Sequence, residues 1–250
     1  MSEVHETATK AWGESAELYD RARPGYPPEA IDFLHELGLG PDSDVLDLAA
    51  GTGKLTRALI AAGARVTAVE PLFAMRQMLQ QRLPEATVME GTAERIPVED
   101  ASVDLVTVAQ AFHWFNAPAA AQEIARVLKP GGGLAAIWNV RDQSVEWMAM
   151  ISELIDVPRS HTPSHQSEIW RRPLDTEGSP FEPLRLETFR HRQELSRPDA
   201  VDVFASRSYV AALPQDERNH LLERVAEQLP KTDLVEIPYV TELYWTRKST

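Results

Sequence analysis

The residues in this sequence best placed to do chemistry are the run Val45-Leu46-Asp47-Leu48-Ala49-Ala50-Gly51-Thr52-Gly53 and a carboxylate at Glu70. An apolar stretch ends in a turn with Gly51 and Gly53, which lack side chains. The backbone there can pass close to a ligand and take angles that other residues avoid. Lys54 to Ala62 reads as the helix that follows, and Val66-Thr67-Ala68-Val69 as a second strand carrying Glu70 at its end. A carboxylate in that place accepts two hydrogen bonds from a ribose diol. The spacing therefore predicts a nucleoside site.

Departures from the dinucleotide fingerprint decide which nucleoside. The third glycine of GxGxxG would fall at position 56, where Thr56 stands, and Asp47 brings a carboxylate to the start of the turn. A pyrophosphate would be repelled by that charge unless the helix N-terminus outweighed it. An ammonium or a sulfonium would be attracted. The phosphate-loop pattern also fails, because Leu48 stands where its first glycine is required and Lys54 is followed by Leu55.

With these features the segment resembles motif I of the class I S-adenosylmethionine (SAM)-dependent methyltransferases. Further motifs agree in order: Glu70 ending the second strand, Gly91-Thr92-Ala93-Glu94-Arg95-Ile96-Pro97, the strand Val103 to Gln110, and a helix closing on Lys129-Pro130-Gly131-Gly132-Gly133. The chain is most similar to the type 11, small-molecule branch related to ubiquinone-biosynthesis and trans-aconitate methyltransferases. The resemblance implies a Rossmann-like, doubly wound α/β fold with a seven-stranded sheet, an antiparallel last strand and an N-terminal helical cap. It implies SAM as cofactor and S-adenosylhomocysteine as product. Asp47, Gly51, Thr52 and Gly53 would hold the amino acid part, Glu70 the ribose, and Thr92, Ala93 and Glu94 the adenine, with Ala49, Pro71 and Gln110 as further cofactor contacts. Tyr19 and Arg23 match cap positions that face the methionine carboxylate, with Arg21 as a competitor. Two positions depart from the family: its first motif glycine is Ala49 here, and the acidic residue facing the adenine amino group is Thr92.

On the acceptor side, Gln110-Ala111-Phe112-His113-Trp114-Phe115 lies just past the fourth strand, at the sheet edge where open α/β proteins bind ligands. His113 reads either as a general base or as part of an apolar wall with Trp114 and Phe115. An ionised carboxylate acceptor would need no base, and Arg171, Arg172 or Arg207 could clamp it through paired hydrogen bonds. Ser206, Ser208 and Tyr209 are further substrate candidates by analogy with the branch. His161 and His165 have HxxxH spacing but no nearby acidic or cysteine ligand, so no metal is expected. The expected activity is methyl transfer to a small molecule, at oxygen, with a carboxylate favoured over a hydroxyl. The alternatives are a non-catalytic SAM sensor or an NAD-dependent dehydrogenase.

The elements that must position these residues alternate as in a doubly wound sheet. Strands are expected near 45–49, 65–70, 87–91, 103–110 and 134–139, with helices near 54–62, 72–83, 118–128 and 144–155. A patternless polar stretch, 157–183, leads to a sixth strand over 184–195, a helix from about Pro198, and a seventh strand over 235–247. Residues 9–37 read as two helices hinged at Arg23 to Pro28. One domain over 1–250 follows, with the cap in 1–40, the cofactor core in 41–140 and the substrate side in 141–250. A net charge of −13 and a pI near 5.0 argue against a nucleic acid partner. The absence of cysteine excludes a disulfide framework and a thiol nucleophile. A polar N-terminus and the lack of a long apolar run predict a cytoplasmic protein without a membrane partner.

Overall fold

The computed structural model describes residues 22–156, 165–167 and 169–250. The expected helix before Arg23, with Tyr19 and Arg21, lies outside them, as does His161. Seven strands form one sheet: β1 Asp44–Leu48, β2 Arg65–Val69, β3 Thr87–Met89, β4 Val103–Ala109, β5 Leu128–Arg141, β6 Arg185–Ser196 and β7 Leu234–Arg247. Their order is β3-β2-β1-β4-β5-β7-β6. The first five are parallel, and β7 runs antiparallel to both β5 and β6. The chain winds outward in opposite directions from β1 and β4, so the crevice beyond their carboxyl ends is where such a sheet takes a ligand.

Both faces of the central strands are covered, which explains their near-continuous apolar sequence. Val45, Leu105 and Ile137 face one side, with Leu55 and Leu59 of α2 (Lys54–Ala61) and Ala30 of α1 (Pro28–Phe33). Leu46, Val106 and Trp138 face the other, with Ile124 of α4 (Ala117–Val127). The helix α3, Phe73–Arg82, connects β2 to β3. A third cluster packs α5 (Glu146–Asp156), α6 (Arg197–Ala205) and α8 (Gln215–Gln228) on the β7 residues Val235, Ile237 and Tyr239. Ser196 caps α6, its hydroxyl accepting the Asp199 N–H, and the short α7 spans Ser208–Ala211.

The expected elements are found with three differences. Strand β5 starts at Leu128, six residues early, because Leu128 already pairs with Val103 across a bulge. Helix α8 was not expected, although Pro214, the acidic first turn Asp216 and Glu217, and Pro230 beyond its end are ordinary start and stop signals. The patternless stretch holds Trp170, Leu174 and Phe181 buried against the α4 side of the sheet. No described helix is long and apolar enough to cross a membrane.

Candidate active site

The turn after β1 is built around two carboxylates that the fold removes from water. Asp47 is fully buried. Thr56 Oγ1 donates to its Oδ2 at 2.6 Å, and Thr107 Oγ1 donates to its Oδ1 at 3.0 Å. Burial raises its pKa to about 6 against the pull of those hydroxyls, so it is mostly ionised at neutral pH. Thr56, at the position of the dinucleotide glycine, thus ties the first turn of α2 to β1. Glu70 is 3% exposed, and its two oxygens accept the N–H groups of Gly51 and Leu72, each at 2.9 Å. Burial raises it to about 7, against these two backbone hydrogen bonds. Each oxygen keeps a further acceptor position for a ligand hydroxyl.

The two glycines serve different ends. Gly51 has φ +59, and a Cβ there would meet only Met75 Sδ at 3.8 Å. Its backbone angle, which turns its N–H to Glu70, is what calls for glycine. At Gly53, φ +88, a Cβ would lie 2.8 Å from Leu83 Cδ1 and 3.1 Å from Leu79 Cγ, so those leucines would have to shift to admit a side chain, in addition to the strain of the angle. Ala49 holds the left-handed region at φ +57 and Gln110 at φ +60. Two non-glycine residues in that region, at the ends of adjacent strands, mark where the backbone is bent to shape a site.

These strand ends border a cleft that encloses about 550 Å³, open solvent included. Ala49, Ala50, Gly51, Thr52 and Gln110 line it together with Arg23, Tyr26, Asn139, Arg207 and Tyr239. The sequence candidates Arg23, Ala49, Gly51, Thr52, Gln110 and Arg207 therefore meet. Arg23 Nη2 donates to the Ser206 carbonyl at 3.2 Å, which sets it beside Arg207. Asn139 Nδ2 donates to the Gly25 carbonyl at 2.9 Å, and Thr241 Oγ1 donates to Asn139 Oδ1 at 2.7 Å, fixing the hinge over β5 and β7.

Other candidates lie elsewhere. Asp47 is behind the loop and does not line the cleft; it braces the turn instead of presenting an oxygen to a ligand. The turn Gly91 to Glu94 sits next to Glu70, whose N–H bonds the Met89 carbonyl at 3.1 Å. In that turn Ala93 is buried in the core, and Glu94 Oε1 accepts the Asn116 N–H at 2.8 Å. Pro71 offers its carbonyl to Arg76 Nη1 at 2.6 Å.

His113, Trp114, Phe115 and Arg171 belong to an aromatic wall on the Trp138 face of β5, whereas Asn139 faces the cleft. The Trp138 indole donates to His113 Nδ1 at 3.2 Å, which leaves the proton of a neutral ring on Nε2. The nitrogen that would take a proton is occupied, so this geometry does not suit a general base. His113 also packs on Trp114, with ring centroids 5.0 Å apart, and Phe115 packs on Phe112 at 5.3 Å. Arg171 lies over the Tyr244 ring at 4.8 Å, on the face away from Arg207. His165 stacks on Trp138. Tyr209 Oη is within 3.4 Å of Arg141 Nη1 and 3.5 Å of Asp156 Oδ1, next to a bidentate Arg141–Asp156 pair.

Sequence reasoning missed Tyr26, Asn139 and Tyr239. The last two could not have been found from local pattern, because they meet only through the long-range register that sets Arg141 opposite Tyr239 and Asn139 opposite Thr241.

Residues 46–136 match the family model described as a methyltransferase domain. An uncharacterized methyltransferase of Mycobacterium tuberculosis is 38% identical over 237 residues, covering 92% of this chain and 93% of its own length. A solved protein from Anaeromyxobacter dehalogenans, provisionally described as a type II methyltransferase, superposes with a TM-score of 0.69 at 23% identity, over 91% of this chain and 97% of its own. Phosphoethanolamine N-methyltransferase 2 of Haemonchus contortus, solved in complex with S-adenosyl-L-methionine, gives a TM-score of 0.61 at 15% identity, over 100% of this chain and 61% of its own.

Proposed function

Because this chain belongs to the class I SAM-dependent methyltransferases, we propose that it transfers the methyl group to an oxygen, carboxylate or hydroxyl, of a small-molecule acceptor held between the glycine turn and Arg207. The observation that supports this reading is the cleft itself, whose lining combines the small residues of the turn with cationic and phenolic side chains. SAM, when bound, supplies a methyl group already activated by a positive sulfur. The residues fit that ligand: carboxylates sit behind the turn, where a diphosphate would be repelled, and Ala49, Gly51 and Thr52 leave room for close approach.

In this reading Glu70 accepts the ribose hydroxyls, Pro71 and Thr92 to Glu94 border the adenine, and Gln110 closes the wall between adenine and acceptor. Gly51 to Gly53 approach the amino acid part, Arg23 and Tyr19 take its carboxylate, and Asp47 acts indirectly by holding the turn rigid. Trp114 and Phe115 exclude water from the sheet edge. Tyr209 acts through the Arg141–Asp156 pair and Arg171 through the aromatic wall, shaping the acceptor side without touching the reacting atoms. Alignment and exclusion of water then suffice, with no base from His113. The acidic overall charge supports a small molecule over a nucleic acid and agrees with a cytoplasmic setting.

Thermal unfolding with SAM, S-adenosylhomocysteine and NAD in parallel tests the reading. A ligand at 100 times its Kd adds about 2.7 kcal/mol, or several degrees at roughly 2–4 °C per kcal/mol. The adenosyl ligands are expected to raise the midpoint and NAD to leave it unchanged. A shift with NAD alone would overturn the assignment.

A further inference from the structure

In a chain of net charge −13, the described cleft lining carries Arg23, Lys54 and Arg207 and no carboxylate side chain. Tyr239 Oη and Arg207 Nε, both in that lining, are donors without a hydrogen-bond partner among the described residues. Tyr239 is 1% exposed, and its Oη has no hydrogen-bond partner among the described residues. Arg207 Nε is buried and equally unpartnered. Buried polar atoms are nearly always satisfied in folded proteins, so two such donors lining one cleft point to an acceptor that they would bond.

The neighbouring arginine shows the contrast. Arg141 is 8% exposed and compensated by Asp156, whose oxygens lie 2.8 and 3.0 Å from its Nη2. Among the described residues no carboxylate pairs with Arg207 in this way. Burial first, and the charges of Arg23 and Arg141 next, lower its pKa to about 9, which still leaves it protonated at neutral pH. A half-buried cation without a described carboxylate partner thus borders the cleft. Its ring partner is fixed as well: Tyr239 stacks on His191 at 5.4 Å, and the β5–β7 register sets it opposite Arg141.

We propose that Arg207 Nε and Tyr239 Oη together bind the acceptor's carboxylate, the group that becomes methylated. This rests on the methyl-transfer reading above. A carboxylate is already ionised at neutral pH, so one of its oxygens forms the new bond to the methyl carbon as the carbon–sulfur bond breaks with its electron pair onto sulfur. No proton is released, which agrees with a His113 whose Nδ1 is occupied by Trp138. The product is a neutral ester and has lost the charge that Arg207 attracts, so the pair that draws in the acid lets the ester go.

The test uses the full-length protein saturated with S-adenosylhomocysteine. Hexanoate, benzoate, phenylacetate and glutarate are titrated calorimetrically beside their methyl esters and amides, in wild type, Arg207→Gln and Tyr239→Phe. At least one acid is expected to bind about tenfold or more tighter than its ester and amide, and each variant to lose about tenfold or more of that affinity, the scale of a hydrogen bond to a charged group. Both variants should keep wild-type affinity for S-adenosylhomocysteine, and their ligand-free midpoints should rise, because each removes an unsatisfied buried group. A merely structural pair would show the opposite change in stability. Equal binding of acids and esters, or no acid bound at all, overturns the proposal. So does a parallel loss of S-adenosylhomocysteine affinity, which would assign the pair to the methionine carboxylate. Failure of the wild type to bind S-adenosylhomocysteine would instead remove the methyl-transfer reading itself.

Discussion

Glu70 makes the ligand-free protein less stable as pH rises from 5 to 8. Its carboxyl is moved from an ordinary 4.5 to about 7 by burial, so the folded protein holds a proton there across a range in which the unfolded chain has released it. The stabilising contribution is full below about pH 4.5 and is gone above about pH 7. At 1.36 kcal/mol per decade of pKa, Glu70 alone accounts for about 2–3 kcal/mol between pH 5 and 8. Asp47, moved from 3.8 to about 6, adds about 1 kcal/mol of the same sign. Urea unfolding of wild type and Glu70→Gln at half-unit intervals isolates the effect, because the variant has no carboxyl to titrate. The stability difference between wild type and variant should shift against the wild type by about 2–3 kcal/mol from pH 5 to 8. It should shift less with S-adenosylhomocysteine present, since ribose hydroxyls donating to Glu70 favour its ionised form. A difference that stays flat, or moves toward the wild type as pH rises, would refute the claim that Glu70 is desolvated behind the turn.

Three substitutions probe the turn and the wall. Ala49→Gly relieves a left-handed alanine at φ +57, a strain of about 1–2 kcal/mol partly offset by the extra entropy of an unfolded glycine, so calorimetry should show a midpoint raised by a few degrees. A lowered midpoint would mean that the angle is not strained. Gly53→Ala combines φ +88 with a Cβ 2.8 Å from Leu83 Cδ1 and should lose about 2–3 kcal/mol in urea unfolding together with S-adenosylhomocysteine affinity. Wild-type values in this variant would show that α3 yields freely. His113→Phe should keep methyl transfer within about threefold, whereas a fall of about 10²–10⁴ would restore the histidine as a general base.

The parts of the fold legible in the sequence are those whose causes are local. Strands β1, β2 and β4 are buried on both faces and are written as continuous apolar runs, and Gly63 and Pro84 end their connecting helices in the expected way. The turn was legible because its glycines and Asp47 lie within a short stretch of chain, where local sequence pattern is read directly. The part that Asp47 plays in bracing the turn was not legible there. Nothing in the sequence said that Thr56, nine residues on, and Thr107, sixty residues on, would spend their hydroxyls on its two oxygens.

The acceptor side was legible only in fragments, for a geometric reason. Arg171 and Arg207 look equivalent in sequence, yet successive β5 side chains point to opposite faces. Trp138 gathers Trp170 and His113 on one face, while Asn139 opens to the cleft and Arg141 joins Asp156 on the other. A residue's side of the sheet therefore decides whether it can meet a ligand, and that is fixed by pairings more than 90 residues apart. Tyr239 shows this most clearly. In the sequence it is one aromatic in a strand and reads as core. Its register opposite Arg141 turns it into a buried hydroxyl on the cleft wall, and its proposed binding role rests on that hydroxyl having no partner among the described residues.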